Sequence, residues 1–191
     1  MRLLIFLTLS LKLSSVYACT ADLDALVVPT DAAAYGIPAA KLDHAFVKVS
    51  VLTRAMFCDQ VTSKGAPVDL STAAFRLDRD FDADGKPDSA FVGTYENATG
   101  GRGVFLVVVR QLGKPKQKIL FFAKQENTDA AVSYLTLQGD ILSWWTCFAC
   151  KVSEDFRFGK NGFDRIESYD DYGQLSAYLW RRETASLPPS R

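Results

Sequence analysis

From Ala73 onward, short apolar runs alternate with clusters of turn residues, and this rhythm predicts a succession of strands. The predicted strands cover residues 75 to 79, 89 to 96, 104 to 111, 117 to 124, 131 to 138, 141 to 146, 153 to 158 and 163 to 169. Asn97-Ala98-Thr99-Gly100-Gly101 parts the second from the third, and Leu112-Gly113-Lys114-Pro115 the third from the fourth. Gln138-Gly139-Asp140 and Gly159-Lys160-Asn161-Gly162 read as tight hairpin connections. Links this short cannot carry the crossover helices of a parallel sheet, so an antiparallel meander is expected. Phe156 and Phe158 alternate with Asp155 and Arg157, the pattern of a strand with one buried face. Val104 to Val109 is apolar throughout and belongs at the centre of a sheet.

The first third carries two superimposed patterns. Leu42, Ala45, Phe46, Val49, Leu52 and Met56 recur at helical spacing, while residues 46 to 51 also alternate as a strand does. The helical spacing favours a helix from about Ala39 to Met56, laid on one face of the sheet. The fold class is therefore mainly β, or α+β, with an antiparallel meander and one or two helices from the N-terminal third.

The amino terminus changes the picture of where this chain resides. Met1-Arg2, the apolar run Leu3 to Leu11 and the small residues before Cys19 describe a secretory signal peptide at 1–18, cleaved after Ala18. Lys12 cuts the run too short for a spanning helix. Residues 19–186 then form a single globular β-rich domain, and the Pro-containing end at 187–191 is a disordered tail. Val16-x-Ala18-Cys19 also partly matches a bacterial lipobox, so a lipid on Cys19 is a second route, and the one route to a membrane. Tyr17 departs from the small or β-branched residue usual at that place. Either way the protein is expected to be exported: periplasmic or secreted, or lipid-anchored to the outer membrane.

Apolar residues make up 48% of the 191 and charged residues 23%, as in an ordinary globular protein. The formal net charge of zero argues against nucleic acid as a partner. The four cysteines, Cys19, Cys58, Cys147 and Cys150, suit disulfides in an oxidising compartment. Cys147 and Cys150 can close a small loop on each other or pair with Cys58 and Cys19. An acylated Cys19 would leave three thiols and one unpaired.

The densest chemistry lies at residues 80 to 88, Asp-Phe-Asp-Ala-Asp-Gly-Lys-Pro-Asp. Asp80, Asp82, Asp84 and Asp88 occupy positions 1, 3, 5 and 9 of a calcium loop, with Gly85 at the bend and Lys86 offering its backbone carbonyl. Four like charges in one turn repel unless a cation or solvent compensates them. The protein's own candidates for that role are Arg76, Arg79 and Lys86. Phe91 stands where an EF-hand needs a bidentate Glu, and 90 to 95 reads as a strand, so this is not an EF-hand. Hard oxygen donors favour Ca2+, in a structural role.

This loop followed by an apolar strand resembles the calcium loop of FG-GAP and VCBS-type repeats. It matches at Asp80, Asp82, Asp84, Gly85 and Asp88, within residues 78 to 95. Those repeats build β-propellers in integrin-like and bacterial exported proteins. A propeller needs at least ~4 blades, and one copy is present here. The resemblance therefore implies a single loop set in a smaller exported β domain.

The remaining motifs point to chemistry less directly. Cys147-Phe148-Ala149-Cys150 follows Trp144-Trp145, but it falls between strands rather than at a helix start, which favours a structural disulfide over a redox pair. Trp144 and Trp145 should face opposite sides of a strand. Asp164, Glu167, Asp170 and Asp171 form an acidic cluster near Tyr169 and Tyr172. His44 is the sole histidine, and no nucleophile elbow accompanies it. No catalytic residue is assigned. The expected function is an exported cell-envelope binding or structural module, with an envelope protein or a glycan as compatible partners. A hydrolase with an acidic cleft, and an inhibitor of an exported enzyme presenting the 147–150 loop, are the alternatives.

Overall fold

The computed structural model describes residues 19–23, 27–114, 116–126, 132–147, 153–159 and 162–166. The expected signal peptide, the tail at 187–191 and Cys150 lie outside the described residues. In chain order the elements are β1 (Thr20–Asp22), β2 (Ala33–Ala34), β3 (Ile37–Pro38), α1 (Ala39–Leu42), β4 (Phe46–Val51), β5 (Phe57–Ser63), β6 (Ala66–Val68) and β7 (Arg76–Arg79). They continue with β8 (Asp88–Asn97), β9 (Arg102–Arg110), β10 (Lys118–Glu126), β11 (Tyr134–Gln138), β12 (Ile141–Trp145), β13 (Glu154–Gly159) and β14 (Gly162–Ile166). The protein is mostly β, with antiparallel main sheets and, among the described residues, one short α-helix.

The central sheet has the order β10-β9-β8-β4, and β7 pairs with the first half of β8 beside β4. A second sheet runs β11-β12-β13-β14 as a plain meander. A smaller sheet joins β5 and β6 as a hairpin, with β1 added parallel to β5. Lys64 (φ 49) and Gly65 (φ 74) make the tight turn of that hairpin, both in the left-handed region that two-residue connections demand.

Both faces of the central sheet are covered, which explains why β8 and β9 read as nearly unbroken apolar runs. On one face Ala90, Val92, Val104, Leu106 and Val108 pack in a core that includes Leu135, Leu142, Trp144 and Phe156 of the second sheet. On the other, Phe91, Tyr95, Phe105, Val107 and Val109 meet Ala34, Ile37, Ala39 and Leu42 from the N-terminal segment. Phe121 of β10 reaches across the first interface, its ring 4.8 Å from Phe156 and 4.6 Å from Phe163.

The helix expected over Ala39 to Met56 is corrected by the structure. Only Ala39–Leu42 is helical; Phe46–Val51 is strand β4, and Arg54–Met56 is a 3-10 turn. Asp43 is extended (φ −151, ψ 134), and its Oδ1 accepts a hydrogen bond from Ala45 N at 2.9 Å, which stops the helix there. Beyond that stop, the β-branched residues of Phe-Val-Lys-Val-Ser-Val find an open ladder along residues 93–97 of β8.

Cys19 and Cys58 form a disulfide across the β1–β5 pair. Their bond commits the Cys19 sulfur, so thioether acylation of that sulfur is excluded in the same molecule. Cys147 is disulfide-bonded as well. These bridges fit an oxidising compartment.

Candidate metal centre

The aspartate loop connects β7 to β8, and side chain to backbone bonds give it its shape. Asp80 Oδ1 accepts from Asp84 N at 3.1 Å and its Oδ2 accepts from Gly85 N at 2.8 Å, folding 80 to 85 into a closed turn. Asp84 Oδ1 accepts from Lys86 N at 2.9 Å. Ala83 (φ 56) and Gly85 (φ 81) are left-handed, so the chain reverses twice within three residues. Phe81 points the other way: it is buried, and its ring lies 4.5 Å from Phe158 and 6.5 Å from Phe163 of the second sheet. Asp80 and Asp82, one residue to either side of that anchor, are half-buried.

Asp80, Asp82 and Asp88 come together. One carboxylate oxygen from each lies within 4.8 Å of the others. Ligands on opposite sides of a Ca2+ ion stand about 4.6–5.2 Å apart, so the spread suits a single ion. Asp88 has no exposed side-chain surface; its Oδ2 accepts from Phe81 N at 3.0 Å, and its Oδ1 has no hydrogen-bond partner. Asp82 Oδ1 is likewise buried without a partner. Buried carboxylate oxygens with nothing to accept are costly, and an ion beside them would relieve that cost. This acidic cluster can hold a metal ion.

Electrostatics agree. Burial pushes the Asp88 carboxyl above its ordinary range, the charges of Asp84 and Asp80 push the same way, and the hydrogen bond from Phe81 N opposes them. Asp84 stands apart from the three-carboxylate group. Its Oδ2 faces Arg110 Nη1 at 3.0 Å and Lys86 Nζ at 3.7 Å.

Arg110, at the end of β9, is the residue that sequence reasoning missed. Its Nη2 donates to Asp82 Oδ2, its Nη1 pairs with Asp84, and its Nε lies 3.7 Å from Asp88 Oδ1. The signal for it was the register of the β8–β9 hairpin, which sets Asp88 directly opposite Arg110. Of the counter-charges expected from sequence, Lys86 does pair with Asp84. Arg76 instead binds Asp78 at 2.8 Å, and Arg79 Nη1 donates to Gly139 O at 2.5 Å, tying the loop's first strand to the β11–β12 turn.

The other candidate groups do not converge among the described residues. Asp164 is exposed, while Glu167, Asp170 and Asp171 lie outside the described residues. His44 is fully exposed, with Nδ1 3.5 Å from Asp43 Oδ1. Trp144 is buried and Trp145 half-buried, as alternation on a strand requires. The Trp145 ring lies parallel to Tyr134 at 5.8 Å, and its Nε1 donates to Thr136 Oγ1 at 3.1 Å. A shallow pocket of about 110 Å³ lies between Phe46, Tyr95, Asn97, Lys124 and Glu126. Burial, with the charges of Glu126 and Asp43, pushes the Tyr95 hydroxyl up to about 12.

No family model, curated protein or solved structure matches this chain.

Proposed function

We propose that this chain is an exported, non-catalytic binding or structural module whose aspartate loop takes up Ca2+ to stiffen the junction of its two main sheets. One observation carries the reading. The Oδ1 atoms of Asp82 and Asp88 are buried without hydrogen-bond partners, on two of the three carboxylates gathered within 4.8 Å. All the donors are hard oxygens, which favours Ca2+ over softer metals. The likeness to the FG-GAP and VCBS-type loop supports the same ion, and the disulfides support an oxidising, exported compartment.

A structural role suits the placement better than a catalytic one. Phe81 and Arg79 tie the loop to both sheets, and an ion there closes the end of their interface. A catalytic metal keeps an open position beside acid, base or nucleophile. Among the described residues, the groups that contact this cluster are Arg110, Lys86 and the loop backbone.

Calorimetry and thermal melting of the protein, in chelator and with added CaCl2, test this reading. Ca2+ should bind with one-site stoichiometry and raise the melting temperature. The double variant Asp82→Asn, Asp88→Asn should abolish both effects. Heat of binding that survives in the double variant would place the ion elsewhere.

A further inference from the structure

Resting on the cation reading above, we infer that Arg110 is a built-in competitor for the ion: its guanidinium and the divalent cation occupy the aspartate loop by turns.

The two claimants share ligands. Asp82 and Asp88 belong to the three-carboxylate group, and both face Arg110, Asp82 through a hydrogen bond and Asp88 across 3.7 Å. Asp84, the third contact of the guanidinium, is the aspartate standing outside that group. The guanidinium thus holds two of the ion's ligands together with one carboxylate that the ion does not need.

Arg110 fills the role imperfectly. A guanidinium is a planar fork whose donors match one carboxylate edge at a time. Here it satisfies Asp82 Oδ2 and Asp84 Oδ2, yet Arg110 Nε, Asp88 Oδ1 and Asp82 Oδ1 stay buried without hydrogen bonds. A spherical cation that accepts six to eight oxygens has no such planar constraint. Charge points the same way. The loop's four aspartates are met by the single charges of Arg110 and Lys86, which contact Asp82, Asp84 and Asp88, and exchanging the guanidinium for a divalent ion lowers the remaining excess of negative charge by one.

The side chain can also leave. Arg110 ends β9, retains 22% side-chain exposure, and is followed by Gln111 in a left-handed turn (φ 54). A rotation about its side-chain torsions carries the guanidinium to water without disturbing the β9 ladder. The loop therefore keeps its shape without the ion, and each ion bound must first expel a charge. Such a site has weak affinity, suited to the 10⁻⁴–10⁻³ M range in which extracellular calcium modules work.

The experiment is a calcium titration of the wild type, Arg110→Gln and Arg110→Lys by calorimetry, with melting temperatures measured in chelator. Arg110→Gln should bind Ca2+ at least tenfold more tightly than the wild type while melting at a lower temperature in chelator. Arg110→Lys should fall between. Binding by Arg110→Gln alone, with none by the wild type, overturns the alternation and makes Arg110 a permanent occupant of the loop. Equal or weaker binding by Arg110→Gln beside a wild type that binds overturns it and leaves the cation reading intact. Absence of binding in both overturns the two together. A second measurement needs no variant: the Nε–H resonance of Arg110 in the wild type, followed through the same titration. It should move to a solvent-exchanging position with the calorimetric midpoint, and a resonance unmoved at saturation overturns the competition.

Discussion

The ring of Phe81 lies 4.5 Å from the ring of Phe158, so one side chain joins the aspartate loop of the central sheet to β13 of the second. The same residue donates its N–H to Asp88 Oδ2. The ring packs on the second sheet while the backbone of the same residue holds the Asp88 carboxylate.

Phe81→Ala should therefore do two things. Loss of a buried aromatic ring costs about 3–5 kcal/mol, read as a lower midpoint in urea unfolding. Calcium affinity should fall as well, because the N–H at position 81, which alanine retains, loses the ring anchor that positions it against Asp88 Oδ2. Unchanged calcium binding in a destabilised Phe81→Ala protein would separate the anchor from the site.

Gly93 in β8 and Gly103 in β9 have no room for a side chain. A Cβ on Gly93 would lie 2.4 Å from the Phe105 ring and 2.6 Å from Ser50 O; one on Gly103 would lie 2.1 Å from Gln125 O. Backbone atoms cannot give way as a flexible side chain does. Either alanine variant should lose at least about 1–3 kcal/mol, with Gly103→Ala the worse, measured by denaturant unfolding against Gly65→Ala for comparison. Nothing lies within 4 Å of a Cβ at Gly65, so that variant feels only its left-handed backbone.

The Cys19–Cys58 bridge closes a chain separation of 39 residues. Chain-entropy reasoning assigns such a loop about 4 kcal/mol. Cys19→Ser with Cys58→Ser should lower stability by that order, and reductant should destabilise the wild type by more than the variant, which keeps the Cys147 bridge. Unchanged melting of the double variant would show that the β1–β5 pairing holds without its bridge.

Asp43 governs a part of the acid stability. Burial alone would push its carboxyl up; the hydrogen bond from Lys124 Nζ at 2.6 Å, the Ala45 N–H and the charges of Lys124 and His44 outweigh it and hold the carboxyl below its ordinary 3.8. A carboxyl depressed in the folded state lends stability in full above its unfolded pKa. That share is lost as pH falls through the lower folded value. The stability gap between wild type and Asp43→Asn should therefore be fully present near pH 5 and close in stronger acid. Melting temperatures across that range check it, and a gap that widens on acidification would contradict the assignment.

Much of this architecture was legible as pattern. Each strand expected beyond Ala73 is present, within three residues at its start, because its residues face covered or half-covered layers and alternate accordingly. The last of them, expected to reach Tyr169, is described as far as Ile166. The segment 39 to 56 resisted because Phe46 and Val49 serve either period, and the decision came from a distant partner, the open edge of β8. The parallel addition of β1 to β5 was equally hidden, since three residues carry no period.

The acidic cluster was legible in part. Asp80, Asp82 and Asp88 announced themselves through local spacing, and the structure gathers them. Asp84 has the same spacing but turns toward Arg110, a preference that local sequence cannot express. Arg110 lies 28 residues from Asp82 along the chain, and only the hairpin register brings it there.

A sheet sheathed on both sides has a kinetic signature. The amide protons of Val104 to Val109 bond within ladders that neither face exposes to water, so they can exchange with solvent only when the whole assembly opens. Those of β14, the last strand of the second sheet, need only local fraying. The slowest-exchanging amides should thus trace β8 and β9, and their rates give the free energy of global opening directly, without any denaturant.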